Sequence, residues 1–480
     1  PQRHGANRTQ PPIRSYSARV LPYERLLRYA ATMVRLEPNF PFAPEKLPFF
    51  YGWAIVAAAT VGVVLSIPGQ TMGISVFTDH LIAATGLTRL ELTYTYLGGT
   101  LASSLLLPRG GLFLDRHGSR ITAIFACAVI APTLCAFAQL DILAHAASEL
   151  GGFERTSLVA GCILTLGFMI LRFSGQGMLT IASRTMMAKW FERRRGLVGG
   201  ISGLFISGGF AIAPVLLQLL IDFAGWRGAW FILAGVVGFG MGTVALIFFR
   251  ESPEEHGLLM DGDAAPNLGT SAATKGTQVE ELSFTRDEAL RTARFWSVTL
   301  ALTVQAMVFT GVTFHIMDIG IDTGIGARDA VKIFIPNAIV STCVGLFSGW
   351  LADRVSVKAL VLAFTSFQCL AYVGAGRLGE PPFLVMMIVG WGCAGGLFST
   401  LLNVAIPNFF GRAHLGAISS VQMSCMVAGS ALGPAFLAAA KIFLGSYRVG
   451  LLWCCAISAA VFVFALLSPG PPAREVGIDA

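Results

Sequence analysis

Charge is scarce in this sequence: Asp, Glu, Lys and Arg make 13% of its 480 residues, while 54% are hydrophobic. Soluble domains carry about 25% charged residues, so a water-soluble enzyme of this size is excluded. Also absent are a Gly-x-Ser-x-Gly elbow, a His-Glu-x-x-His pair and a Gly-x-x-x-x-Gly-Lys-Ser/Thr loop. Hydrolysis and ATP-driven pumping therefore lack machinery, and the protein is expected not to be an enzyme. No acidic residue falls deep inside any apolar run. The net charge of +7 comes without a contiguous basic face, which argues against a nucleic-acid partner. All nine cysteines lie within apolar runs, as packing residues rather than a disulfide framework or a metal site. No metal and no cofactor is expected.

What is present is apolar length. Runs long enough to span a bilayer start near Tyr51, Leu92, Ile121, Leu158, Gly196, Ala229, Phe295, Val331, Ala359, Phe383, Ala417 and Leu451. They do not alternate as strands would, and lipid forbids open sheet edges. The 54 glycines suit close helix packing in lipid. The expected fold is an all-α membrane protein of about twelve helices. With the N-terminus in the cytoplasm, the inner loops hold fifteen Lys/Arg and the outer loops seven, so both termini are expected to be cytoplasmic. The expected parts are a basic tail at 1–46, a six-helix bundle at 47–250, a polar linker at 251–293, a second six-helix bundle at 294–467 and a tail at 468–480. The Arg-studded Glu24–Glu37 segment is either a disordered tail or a surface-lying helix. Because no apolar run precedes Phe49, no cleavable signal is expected, and translation is a candidate to begin at Met33.

The two halves repeat. Gly73, Thr85-Gly86, Glu91, Gly111, Asp115-Arg116 and Arg120 recur 238 residues later as Gly311, Thr323-Gly324, Asp329, Gly349, Asp353-Arg354 and Lys358. Later in each half the offset is 220, pairing Gly196 with Gly416, Pro214 with Pro434 and Gly225 with Gly445. Duplicated six-span halves are one architecture of secondary transporters, with substrate held between them near mid-membrane. The loop Gly111-Leu-Phe-Leu-Asp115-Arg116-His-Gly118-Ser-Arg120 resembles the signature of the major facilitator superfamily, Gly-x-x-x-Asp-Arg-x-Gly. Its second copy is Gly349-Trp-Leu-Ala-Asp353-Arg354, with Ser356 in place of the later Gly. The resemblance implies a gating cluster of Asp115, Arg116, Arg120, Asp353 and Arg354: carboxylates suit helix N-termini, and the arginines suit pairing across the bundles. Phe49-Phe-Tyr-Gly-Trp53, Trp190-Phe-Glu-Arg-Arg-Arg-Gly196, Gly225-Trp-Arg227 and Arg250-Glu-Ser-Pro-Glu-Glu-His-Gly257 resemble the bacterial monocarboxylate-transporter-like and oxalate/formate-antiporter-like branch. That resemblance covers about residues 47–467 and implies a multi-pass monomer of the bacterial inner membrane.

Charge inside the spans selects substrate candidates. A central Arg costs about 2.5–3.5 kcal/mol on insertion scales, and Arg172 lies well inside the fourth run with no acidic partner in sequence. It suits a small organic anion, or alternatively the backbone of a neighbouring helix. On ideal helical geometry Gln176 and Ser183 share its face, with Thr180 and Arg184 to one side, a stripe expected to line the cavity. Arg184 reads as a snorkelling residue, and Lys332, three residues past Asp329, as one that snorkels or pairs. Pro68-Gly69-Gln70-Thr71 interrupts the first span, making Gln70 and Thr71 candidates; Asn403 and Gln422 are candidates from the second half. His315 with Asp318 is a candidate for proton coupling.

Characterised monocarboxylate transporters carry an acidic/basic pair in the eighth helix, where this chain has Ser341 and Gly345. The oxalate/formate exchangers rely on basic residues in the eighth and eleventh helices, of which this chain has none from Ala417 to Ala440. The leading expectation is secondary transport of a small organic anion, a monocarboxylate above all, by proton symport or anion exchange. Efflux of amphipathic compounds, and a non-transporting receptor or assembly factor, are the alternatives.

Overall fold

The computed structural model describes residues 37–152, 156–262 and 283–468. The Met33 start, the surface segment before residue 37, the middle of the linker and the C-terminal tail from 469 lie outside the described residues. Among those described, every regular element is a helix, and nine helices are long and apolar enough to cross a membrane. Two are too long for one crossing, Arg89–Ala138 with 50 residues and Arg195–Phe248 with 54. The first breaks at Gly118 (φ 80°, ψ 166°) and the second at Gly225 (φ 70°, ψ 162°). Only glycine takes such a conformation without strain.

The crossing segments are α1 (Gly52–Val64 with a broken continuation), α2 (89–117), α3 (119–138), α4 (Thr156–Trp190), α5 (195–224), α6 (226–248), α7 (Ala293–Asp322), α8 (Ala327–Ala352), α9 (Val357–Ala375), α10 (Pro381–Phe410), α11 (Leu415–Leu444) and α12 (Tyr447–Leu467). Starts are set by side-chain caps. Thr88 and Glu91 form a reciprocal capping box at α2, and Thr292, Ser356 and Ser446 cap α7, α9 and α12, satisfying N–H groups that a helix leaves unpaired. Gly445, left-handed at φ 73°, ends α11.

α1 is interrupted where the sequence predicts. It ends at Val64, passes through a 3-10 turn at Ile67–Gly69, extends at Gln70 (φ −96°, ψ 157°) and restarts at Thr71. α1–α6 enclose one apolar core, joined by Met423 and Val427 of α11; α7–α12 enclose two more. Outside, Leu105, Phe223, Phe239, Ile335 and Phe443 are exposed, as apolar side chains are where hydrocarbon replaces water. The halves meet where α2 packs on α11 and α5 on α8.

The expected linker is folded at both described ends. Phe284 donates its N–H to the Phe410 carbonyl at 3.0 Å, and Glu251, Glu254 and Asp261 all make contacts considered below. The segment from residue 37 to Leu47 is strapped over the same end of the first bundle by two buried arginines. Arg120 donates to the carbonyls of Phe40 (2.7 Å) and Leu246. Arg250 donates to Ile247 and Phe249 (2.9 and 2.8 Å) and lies over the Phe42 ring. His256 Nδ1 faces Asn39 Oδ1 at 3.0 Å, with its ring against Trp190.

Burial, with Arg250 and Arg120 nearby, pushes the His256 imidazole down to about 4 from 6.5. An unfolded chain protonates it near the higher value while the folded protein holds it neutral, so folding releases a proton in that window. Stability therefore falls as the pH is lowered through it. The melting temperature of purified protein is expected to drop between pH 6.5 and 4, and to drop less in His256→Phe, which keeps the ring stack but does not titrate. Equal slopes in the two proteins would remove His256 from this account.

Candidate functional site

Two carboxylates cross between the halves. Asp115, at the end of α2, accepts the N–H groups of Gly416 and Ala417 at the start of α11, both at 2.8 Å. Its repeat partner Asp353, at the end of α8, accepts those of Gly196 (2.7 Å) and Leu197 (3.0 Å) at the start of α5. Each ties one bundle to the unpaired donors and positive dipole end of a helix in the other. Burial pushes the Asp353 carboxyl up, while the Gly196 and Leu197 N–H groups and Arg354 pull it down.

Glycine permits the approach. A Cβ on Gly111 would stand 2.0 Å from Ser420 Oγ and 2.3 Å from the Gly416 carbonyl, and one on Gly196 would stand 2.1 Å from the Gly349 carbonyl. This end of the bundle pair is closed.

A third carboxylate, from the linker, reinforces it. Asp261 accepts N–H groups from Glu192 (3.0 Å), Arg193 (2.9 Å) and Arg194 (3.2 Å) just ahead of α5. Arg412, from the second half, donates to Glu254 and to the Lys189 carbonyl, both at 3.0 Å. Glu251 pairs with Lys189 and accepts the Ser119 N–H at 2.6 Å. Burial raises its carboxyl, but Lys189 and Ser119 together hold it below the ordinary value.

The three cations of the expected gating cluster do not pair across the bundles in this state. Arg116 is exposed. Arg354 donates to the Trp350 carbonyl and stacks on that ring within its own helix. Arg120 is buried under the strap. Backbone carbonyls and aromatic faces satisfy Arg120 and Arg354 close at hand.

Deeper in, Arg172 is 2% exposed. It donates to Thr71 Oγ1 at 3.1 Å and lies over the Tyr96 ring. Tyr96 donates its hydroxyl to the same Thr71 oxygen at 2.8 Å. With both lone pairs of that oxygen used, the Thr71 hydroxyl hydrogen is left to donate elsewhere, and Thr71 is exposed. Gln70 Nε2 donates to Ser66 Oγ at 3.1 Å, and Thr180 reaches the same oxygen at 3.3 Å. Gln176 has a buried Oε1 with no partner, as does Arg172 Nε. Among the described residues no carboxylate pairs with Arg172.

The stripe expected to line a cavity instead faces the broken helix. Residues Arg172–Leu179 of α4 are π-helical, and Arg172, Thr180 and Ser183 share the face turned to α1 and its continuation. Ser183 and Thr180 pack on α1: a Cβ on Gly62 would stand 2.4 Å from Ser183 Oγ, and one on Gly69 2.6 Å from the Leu171 carbonyl. Arg184 does not snorkel. Its Nη1 donates to Asn403 Oδ1 of the other bundle at 2.8 Å, so Asn403 meets Arg184 and not Arg172. Gln422 is buried with an unpartnered Nε2.

His315 sits between helices. Its Nε2 faces the Pro434 carbonyl at 3.0 Å and its Nδ1 the Tyr447 hydroxyl at 3.3 Å, with Asp318 at 3.8 Å. Lys332 pairs with Asp329 at 2.7 Å. Sequence reasoning missed Tyr96, Asp261 and Arg412. Tyr96 carries no charge to mark it, and Asp261-Gly262 reads as an ordinary turn.

Paired clamps on a duplicated helical scaffold define a polytopic membrane protein of two pseudo-symmetric bundles. The model of the Major Facilitator Superfamily matches residues 49–434, and the chain belongs to that family. Monocarboxylate transporter 11 of Mus musculus is 26% identical over 309 residues, covering 61% of this chain and 63% of the mouse protein. The match thus spans less than two thirds of that relative. The oxalate:formate antiporter of Oxalobacter formigenes is 20% identical over 341 residues, covering 68% of this chain and 71% of that protein. Both bear names of the branch that the local motifs resemble. The human organic anion transporter MFSD10 superposes with a TM-score of 0.60 at 14% identity, over 88% of this chain and 100% of that one, a likeness of fold.

Replacing Asp115 or Asp353 by Ala strips an acceptor from the first turn of the opposing helix, a loss of about 1–2 kcal/mol. Each variant is expected to open the closed end about 5- to 30-fold more often. The readout is faster N-ethylmaleimide labelling of Ser420→Cys in a cysteine-free background. Unchanged labelling would mean that these carboxylates only cap helices.

Proposed function

We propose that this protein is a secondary transporter of small organic anions of the monocarboxylate class, working by alternating access between the bundles 47–250 and 294–467, with 251–293 linking them. One observation carries the reading: a guanidinium buried in the membrane interior with no carboxylate partner among the described residues, set against a broken helix. Desolvating an unpaired charge is costly. A carboxylate substrate supplies the missing countercharge and takes charge-assisted hydrogen bonds from Arg172 and from the free hydroxyl hydrogen of Thr71. Gln70 and Gln176 stand close enough in sequence and fold to orient it. The names of the relatives, carriers of monocarboxylates and of oxalate and formate, support the same class.

The excess of Lys and Arg in the loops of the closed end supports a cytoplasmic reading of that end and of both termini. The conformation is then outward-facing, in a bacterial inner membrane. Proton symport and anion exchange are both compatible with it. In the symport case His315, between Pro434, Tyr447 and Asp318, is the group suited to carry the proton.

The test is a thermal-shift series on detergent-purified protein with formate, L-lactate and oxalate, and with xylose and tetraphenylphosphonium as controls. A ligand at 100 times its Kd stabilises the folded state by about 2.7 kcal/mol. A carboxylate-selective shift is expected, lost in Arg172→Gln and partly kept in Arg172→Lys. A shift from the cation alone, or one indifferent to Arg172, would overturn the anion reading and leave Arg172 as a structural residue.

A further inference from the structure

α4 carries a second interior guanidinium. Arg184 lies twelve residues beyond Arg172 on the same helix, about 18 Å toward the closed end at 1.5 Å per residue. Like Arg172 it has no carboxylate partner among the described residues. Its hydrogen-bonding side-chain partner there is a neutral amide oxygen, Asn403 Oδ1 at 2.8 Å, contributed by α10 of the opposite bundle. Its Nε is buried with no partner at all. Asn403 is itself held in place, donating Nδ2 to the Ser399 carbonyl at 2.9 Å. It packs against Gly199 of α5, where a Cβ would stand 3.0 Å from the Asn403 Cβ.

We infer that Arg184 is a second anion site on the transport path, plugged in this state by the Asn403 carboxamide oxygen, which occupies the place of a substrate carboxylate oxygen. The inference rests on the reading of Arg172 as the first such site. Three features of the contact point to it. The acceptor is of the same sp² oxygen type as a carboxylate but lacks the charge, so it is the weaker partner for a guanidinium. It engages one nitrogen of a group built for two-pronged recognition and leaves Nε free. It also bridges the two bundles, so taking it away loosens the closed end. An incoming carboxylate competes on favourable terms: it offers two oxygens and a full charge where the plug offers one oxygen and a dipole. Substrate arrival and release of a cross-bundle contact thereby become one event, the differential affinity that a ligand-driven change of state requires.

The experiment uses full-length protein in detergent with the Ser420→Cys reporter in a cysteine-free background, labelled by N-ethylmaleimide with and without L-lactate, formate or oxalate. Asn403→Asp converts the plug into an ion pair. It is expected to slow ligand-free labelling about tenfold and to abolish acceleration by the anion. Arg184→Gln is expected to speed ligand-free labelling and to lose its acceleration by anion; Arg184→Lys is expected to restore part of the ligand response. Ligand-free labelling equal in wild type, Asn403→Asp and Arg184→Gln overturns the proposal. So does a wild type that shows the thermal shift yet labels at one rate with and without anion. A wild type without any carboxylate shift overturns the reading of Arg172 instead, and the ligand-free comparison still decides whether Arg184 and Asn403 hold the bundles together.

Discussion

A carboxylate of one bundle seated on the unpaired N–H groups of a helix in the other is the contact on which this conformation depends. Asp115 on α11 and Asp353 on α5 are two copies of one device, made by the same duplicated loop and related by the pseudo-symmetry of the halves. The choice of partner matters physically. A helix N-terminus presents its donors and its positive dipole end whatever side chains it carries, so the clamp needs one carboxylate and no matching residue opposite. Close approach is the second requirement. Gly111 and Gly349 meet it by presenting bare backbone to the facing helix.

The charges are sorted by depth. Carboxylates hold the closed end, and the interior of α4 carries guanidinium groups whose partners are hydroxyl, ring and amide. A fixed acid beside Arg172 or Arg184 would have satisfied each cation permanently and given a buried pair that is costly to break. Neutral partners leave the cation desolvated but available. That division separates the charge-assisted contacts of the closed end from the neutral contacts of the interior.

Much of the architecture was legible because lipid makes its demands on sequence. Twelve apolar runs, the 238-residue offset and the doubled Gly-x-x-x-Asp-Arg loop each have a direct structural counterpart, and Pro68-Gly69-Gln70-Thr71 breaks α1 where the composition says it must. The site was legible in its charged member and less so in its company. Arg172 stands out by insertion cost alone, whereas Tyr96, an uncharged residue in an apolar helix, gives no such signal. The stripe on α4 keeps one face, since Arg172, Thr180 and Ser183 all meet α1 and its continuation, but which neighbour that face meets is decided by the tertiary packing of Gly62 and Gly69 against α4. Arg184 looked like a snorkelling residue because its partner, Asn403, is 219 residues away.

The linker makes the closed end more than the sum of two clamps. Asp261 gathers three N–H groups directly before α5, so the helix that Asp353 grips from the second bundle is also gripped from the linker. Arg412 joins the second bundle to Glu254 of that same linker and to the end of α4. The two carboxylates near the start of α5 repel each other, since Asp261 raises the Asp353 carboxyl. The helix end draws both, with three N–H groups on Asp261 and two on Asp353, so one terminus collects a carboxylate from the linker and one from the second bundle.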